Sequence, residues 1–143
     1  MSEDALILAG LTGQLQTRLI AALRADPDVK ALFGDPARIY EDETRRAAYP
    51  YARLTRHETR PQGSTGGLST LHSLTFTTHS EEGGRQFAAR AIHTLQRAAE
   101  QAPIALTGGH IVLVYPIYAD IFKTRDGRRF RGLLRLGVIS EET

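Results

Sequence analysis

Cysteine is absent from the 143-residue chain. The chain can therefore form neither disulfide bonds nor metal sites built on thiolates, and it fits a reducing compartment. Long apolar runs are also missing, since no stretch approaches the ~20 residues that a membrane-spanning helix needs. The apolar segment 5–11 follows two acidic residues instead of a basic region, so it is a poor signal peptide. These absences favour a protein without a membrane partner.

Lysine is scarce, since only Lys30 and Lys123 occur among 18 basic residues. Arginine, which carries the remaining positive charge, binds carboxylates, phosphates and aromatic faces in fixed geometry and is enriched at interfaces. Coding bias in a GC-rich genome would give the same excess. The predicted interface residues form two groups along the chain. They are Arg45, Arg46, Arg53 and Arg56, with Arg60 nearby, and Arg125, Arg128, Arg129, Arg131 and Arg135.

The residue patterns of common catalytic and metal sites are not found. The five histidines have no compact ligand spacing, and His72 and His79 would face opposite sides of a straight strand. No G-x-S-x-G nucleophile turn occurs, and the glycine-rich segment 63–67 lacks the Lys-Ser/Thr of a phosphate loop. We therefore predict no catalytic residue, no metal and no cofactor. The expected function is binding or assembly, not catalysis.

The spacing of apolar residues predicts two main helices. The first covers 3–25 and ends at Asp26-Pro27, with one further helical turn over 29–33. The second ends near Gln101 and carries an apolar stripe of alanine, isoleucine and leucine. Ser80 is its predicted N-cap, because the two glutamates that follow suit the N-terminus of a helix.

Extended segments are predicted at 38–40, 50–58 and 68–79, followed by a long hairpin over 111–139. A two-residue Asp126-Gly127 turn would close the hairpin, with Arg125 opposite Arg128. A slip of one residue would mix its two faces, so the pattern fixes the register. The predicted pairs are Ile117–Leu136, Ala119–Leu134 and Ile121–Gly132 on an apolar face, and Tyr118–Arg135, Asp120–Leu133 and Phe122–Arg131 on a face suited to cation–π contacts.

These elements predict one α+β domain over 1–143. An antiparallel sheet of four to five strands would have the two main helices packed on one face. The other face would be free to meet a partner or would stay in contact with water.

The order of several short features resembles the tail-terminator (tail-completion) proteins of long-tailed phages, prophages and gene transfer agents. The resemblance covers nearly the whole chain. Its features are the turn Asp26 to Gly34, Arg38-Ile39-Tyr40, the strand opening Pro50-Tyr51-Ala52-Arg53-Leu54, the strand end Leu74-Thr75-Phe76, the alanine-rich helix Phe87 to Ala99, and the turn Arg125 to Arg128 followed by Arg131 to Leu136.

The resemblance implies a structural protein at the head–tail junction of a virion or phage-like particle, made in the bacterial cytoplasm. Such proteins form a ring, usually hexameric, on the head-proximal end of the tail tube. The ring stops tube polymerisation and joins the tail to the head. The implied partners are copies of the chain itself, the tail tube protein, the head stopper or connector protein, and DNA that passes through the channel without sequence-specific binding.

A ring needs head-to-tail contacts that close after a fixed rotation. The strands 38–40 or 50–58 could supply them by pairing across subunits, and the arginines could bind acidic patches of neighbouring proteins. Three other functions remain open. They are a head–tail stopper or connector, a sequence-independent nucleic-acid-binding module that uses the hairpin 125–135, and a small hydrolase.

Overall fold

The structure is a computed structural model that describes residues 10–41, 47–63 and 68–143. Helices and strands follow one another in the order helix, helix, strands, helix, strands. They are α1 (Gly10–Ala25), α2 (Pro27–Phe33), β1 (Ile39–Tyr40), β2 (Tyr51–Pro61), β3 (Ser69–Ser80), α3 (Gly84–Gln101), β4 (Gly109–Lys123) and β5 (Phe130–Glu142).

The break between α1 and α2 lies where the sequence predicted it. Asp26 has an extended backbone, and its carboxylate accepts hydrogen bonds from the N–H groups of Asp28 (2.9 Å) and Val29 (3.1 Å). Asp26 is therefore the N-cap of α2, and Pro27 occupies the first helical position, where proline is tolerated. α2 is longer than the single turn predicted. The predicted helical residues 3–9 lie outside the described residues.

The start of α3 differs from the prediction. Ser80 is the last residue of β3, where it is buried and pairs with Phe130 of β5. The N-cap is Gly83, with φ of 82°, and it makes no side-chain capping hydrogen bond. Ser80 was the wrong cap because β3 continues its pairing to that residue, and the turn to the helix follows it. The predicted end of the helix at Gln101 is confirmed.

The five strands form one sheet in the order β1-β2-β3-β5-β4. The pairs β2–β3, β3–β5 and β4–β5 are antiparallel, whereas the two-residue β1 pairs with β2 in parallel. The predicted α+β class is confirmed. The sheet is mixed and not wholly antiparallel, because the chain enters β1 and β2 from the same end of the sheet.

The hairpin register is confirmed from Tyr118–Arg135 to Phe122–Arg131. It differs at one predicted pair, because Pro116 takes the place of Ile117 opposite Leu136, and the ladder is irregular between Pro116 and Tyr118. A bulge adds one residue to β4 and shifts every pair beyond it by one position.

The prediction of a two-residue turn at Asp126-Gly127 is wrong. The strands end at Lys123 and Phe130, and the loop 124–129 joins them. The N–H of Thr124 donates to the carbonyl of Arg129 (2.9 Å), and the Asp126 carboxylate accepts from the Thr124 hydroxyl (2.6 Å). The side chains of Thr124 and Asp126 form hydrogen bonds within the loop. The ladder between the two strands ends at Lys123 and Phe130, so Arg125 and Arg128 do not form a strand pair.

The helices pack on one face of the sheet, as predicted. α3 contacts β3, β4 and β5, while α1 and α2 contact α3. No helix in the described ranges is long and apolar enough to cross a membrane. The core between the helices and the sheet includes Leu15, Leu19, Ile20, Leu23, Phe33, Leu74, Phe76, Leu95, Leu134, Leu136 and Val138.

Candidate interaction surfaces

Four of the predicted interface arginines lie on the sheet face opposite the helices, which we call the outer face. Leu134 and Leu136 of β5 point into the core, so the alternating residues Arg131 and Arg135 point the other way. Pairing through β3 brings the two arginine groups of the sequence together. Arg131 pairs with His79, which pairs with Tyr51 of β2. Arg135 pairs with Thr75, which pairs with Arg56 of β2. Arg53 of β2 pairs with Thr77 of β3.

A stacked pair of rings lies at one end of the outer face. The rings of Tyr51 and His79 are 4.5 Å apart between centroids, with planes inclined by 6°. Burial, followed by the charges of Arg131 and Arg53, lowers the pKa of His79 to about 4. His79 is therefore neutral at neutral pH, and the positive charge of this region belongs to the arginines around it.

Aromatic rings contact several of the cations, as the sequence suggested. The Arg135 guanidinium lies 6.0 Å from the Tyr118 ring centroid, and that of Arg129 lies 4.9 Å from the Tyr49 ring centroid. Arg129 also forms an ion pair with Glu81 at 3.2 Å. These contacts hold the guanidinium groups in place at modest energy, since surface cation–π and ion pairs contribute about 0.5–1 kcal/mol each.

The two predicted arginines of the hairpin loop do not join the outer face. Arg125 and Arg128 are exposed in the loop 124–129, beyond the end of the sheet. Arg45 and Arg46 lie outside the described residues. The structure therefore unites Arg53, Arg56, Arg131 and Arg135, with Arg129 at their margin, and sets the loop pair apart. The predicted arginine surface therefore falls into two parts, one on the outer face and one in the loop.

A cleft of about 450 Å³ adjoins this margin. Tyr49 and Glu81, both contacted by Arg129, line it together with Phe87 and Ser80. The Ser80 hydroxyl is buried and lacks a hydrogen-bond partner. The cleft is lined by aromatic and acidic side chains.

Sequence reasoning missed a polar chain on the helix side of the sheet. His57 Nδ1 lies 3.2 Å from Gln16 Oε1, and His57 Nε2 lies 3.0 Å from His72 Nδ1. His72 Nε2 lies 2.9 Å from Ser140 Oγ. The chain joins α1, β2, β3 and β5. The β2–β3 pairing places His57 diagonally opposite His72, a contact that spacing along a single strand does not reveal.

The Ser140–His72 contact has the geometry of a nucleophile beside a base. Ser140 and His72 are each only 1% exposed, so a substrate cannot reach the hydroxyl in this conformation. Burial, with a further contribution from His57, lowers the pKa of His72 to about 4. The arrangement satisfies buried polar groups and holds α1 against the sheet. Among the described residues, no group of three potential metal ligands occurs.

Exposed large hydrophobic residues are concentrated on the edge strand β4. Six large hydrophobic residues are exposed in the described ranges, and all but Leu68 lie in β4. They are Val112 (51% exposed), Leu113 (50%), Ile117 (42%), Tyr118 (50%) and Phe122 (40%). The sequence had pointed to 38–40 and 50–58 as edges. β1 is an edge and pairs only with Ala52 and Arg53, so the rest of β2 has no strand partner on that side within the described ranges, and β4 is the edge at the other side of the sheet.

Comparison with known proteins agrees with this architecture. The family model of tail completion protein gp17 matches residues 17–141. A chain from the virion of a native gene transfer agent particle has a TM-score of 0.80 at 20% identity, covering 92% of this chain and 98% of that one. At this identity the likeness shows a shared fold. None of the curated proteins matches the chain.

The family match spans most of the chain and agrees with the resemblance seen in the short sequence features. It supports a structural role in a phage-like tail and a place in the phage particle. The chain belongs to the family of tail completion protein gp17.

Proposed function

We propose that the chain is a tail terminator, with 1–143 acting as one domain. Copies of it form a ring, a hexamer, on the head-proximal end of the tail tube. The ring stops tube polymerisation and joins the tail to the head. The partners are other copies of the chain, the tail tube protein and the head stopper or connector protein, and DNA passes through the channel.

The exposed apolar edge of β4 carries this proposal. Large apolar side chains exposed along an edge strand mark a site of association, since such an edge readily pairs with another chain. The family membership and the fold shared with a chain of a gene transfer agent virion support the same role.

The arginines of the outer face are proposed to contact neighbouring proteins of the particle. Acidic patches on an adjacent ring are suitable partners, because arginine binds carboxylates with two parallel hydrogen bonds. Tight contacts with many phosphates would make DNA binding strongly salt-dependent and would impede its transit. Protein contacts are therefore the better assignment for most of these residues.

Purified chain, alone and mixed with its tail tube protein, tests the proposal. Native mass spectrometry and electron microscopy should show closed rings, and tubes capped at one end. A strict monomer that never caps tubes would contradict it. Deletion of the gene separates this function from that of a stopper. Loss of a terminator gives overlong tails and unjoined heads, whereas loss of a stopper leaves tails of normal length and leaking heads.

A further inference from the structure

We propose that the sheet continues from one copy of the chain to the next. The segment Tyr118–Phe122 of β4 would pair with the segment Arg56–Arg60 of β2 in a second copy. This inference rests on the proposed ring and assigns the two surfaces that meet in it.

Only part of the β4 edge can accept a regular strand. The ladder with β5 is irregular between Ile111 and Leu113 and between Pro116 and Tyr118. Bulges and proline disturb an edge and discourage pairing. Beyond them, Tyr118 to Lys123 pair with β5 without interruption, so their free backbone groups present one regular stretch of edge to a partner.

A matching stretch lies at the opposite side of the sheet. β1 pairs only with Ala52 and Arg53 of β2. Beyond the irregularity between Leu54 and Arg56, the residues Arg56–Pro61 pair regularly with β3 on one side. No other strand of the described ranges pairs with them on the other side. The two regular stretches, Arg56–Arg60 and Tyr118–Phe122, have the same length, and Pro61, which has no N–H to donate, lies just beyond the first of them.

The direction of the strands agrees with closure into a ring. β2 and β5 run one way, and β3 and β4 run the other way. A copy related by rotation about an axis roughly parallel to the strands would present its β2 antiparallel to the β4 of its neighbour. Antiparallel pairing is the commoner arrangement, and such a head-to-tail contact leaves the same two surfaces free at each step until the ring closes.

The charges of the two stretches are complementary on the outer face. Alternate residues of β4 there are Tyr118, Asp120 and Phe122, with both rings exposed. The corresponding residues of β2 are an arginine, a glutamate and an arginine. With Thr59 opposite Ala119, Tyr118 faces Arg60 and Phe122 faces Arg56, which favours cation–π contacts across the junction. Asp120 faces Glu58 and lies diagonal to both arginines, and the outer-face charges sum to −1 on β4 (Asp120) and +1 on β2 (two arginines and one glutamate). The Arg56–Glu58 ion pair, 3.1 Å long, keeps the single glutamate beside an arginine.

The absence of native cysteine makes cross-linking a clean test. Thr59 and Ala119 are exposed, lie in the two stretches, and carry none of the charges invoked. We would compare the double variant Thr59→Cys/Ala119→Cys with each single variant, after treatment with a short bismaleimide under conditions in which wild-type chain forms rings. The control pair is Thr59→Cys/Arg90→Cys, because Arg90 is exposed on α3.

The double variant should give a ladder of covalent oligomers that ends at the subunit number of the ring. The single variants and the control pair should stay uncross-linked. Dimers from Ala119→Cys alone would mean that β4 meets β4, which overturns the inference. Rings without a ladder would overturn it while leaving the proposed function intact. If wild-type chain forms no rings and caps no tubes, both fail.

Discussion

Two histidines, His72 and His79, are buried on opposite faces of the same strand, as their odd spacing predicted. Burial lowers the pKa of each to about 4, with a further contribution from His57 for His72 and from Arg131 and Arg53 for His79. Each residue therefore binds its proton less readily in the folded chain than in the unfolded chain, where the pKa is near the ordinary 6.5.

We expect the free energy of unfolding to fall as the pH is lowered from about 6.5 to about 4. Because the folded pKa values are depressed, the unfolded chain takes up protons first, and protonation favours unfolding. Each histidine contributes on the order of 2–3 kcal/mol at neutral pH by this linkage. Urea unfolding curves across this pH range measure the effect. A stability that is flat over the range would contradict the prediction.

The substitution His79→Phe serves as the matched control. A phenyl ring retains the stacking on Tyr51, and the Nε2 atom that it removes has no hydrogen-bond partner. We expect the acid sensitivity to be reduced by roughly half, with stability at pH 7 equal or higher. A pH profile identical to that of wild type would show that His79 does not contribute.

At the scale of elements, Asp26 connects two helices. It caps α2, and it also accepts a hydrogen bond from Arg97 of α3 at 2.8 Å. Burial alone would raise the pKa of Asp26, but the Val29 N–H and Arg97 lower it below the ordinary value. The break in the sequence at Asp26-Pro27 predicted the end of α1, whereas the capping role of Asp26 was not predicted and its partner on α3 depends on tertiary packing.

Asp26→Ala should destabilise the chain by about 1–2 kcal/mol, because the cap and the ion pair are both lost. Asp26→Asn retains a capping oxygen and removes only the charge, so it should lose less than half of that amount. Thermal or urea unfolding of the two variants measures both effects. Equal losses would show that the ion pair, and not the cap, stabilises this junction.

Gly127 tests the hairpin loop. Its φ is 71°, a left-handed conformation, and an added Cβ would meet no heavy atom within 4 Å. Gly127→Val should therefore destabilise the chain by about 1–2 kcal/mol through backbone strain alone. Gly127→Asn should be milder, since asparagine tolerates this region. Melting temperatures compare the three chains, and a valine variant that melts like wild type would refute the loop conformation.

The sequence predicted the strand register better than the turn that closes it. The alternation of Tyr118, Asp120 and Phe122 against the arginines of β5 permits a single register, whereas a loop held by side chains can extend beyond Asp126-Gly127. The prediction of Ser80 as an N-cap is wrong for a related reason, because pairing with β5 extends β3 as far as Ser80. Local patterns could not show these outcomes, since both depend on contacts with distant residues.

At the scale of the whole molecule, the sheet order assembles the outer face. Arg131 and Arg135 could be placed together from the β5 pattern. Their proximity to Arg53 and Arg56 requires β3 to lie between β2 and β5, which no local pattern reveals. The polar chain through His57 and the free edge of β4 were missed for the same reason, since both depend on which strands are neighbours.

Charge reversal at Arg131 should impair assembly without unfolding the subunit. Arg131 is exposed, so Arg131→Glu should change the free energy of unfolding by no more than about 0.5 kcal/mol. The fraction of capped tubes should fall sharply, because the outer face would then repel acidic partners. Arg90→Glu on α3 is the control and should cap tubes normally. Normal capping by Arg131→Glu would remove Arg131 from the interface.

The polar chain from Gln16 through His57 and His72 to Ser140 fixes where each imidazole carries its proton. The Gln16 Oε1 atom can only accept, so His57 must carry its hydrogen on Nδ1, and His72 must do the same to donate to His57. Both imidazoles are thus held as the Nδ1–H tautomer while α1 is packed against the sheet. The nitrogen-15 chemical shifts of the His57 and His72 rings would identify this tautomer. A change in those shifts would show that α1 has separated from the sheet.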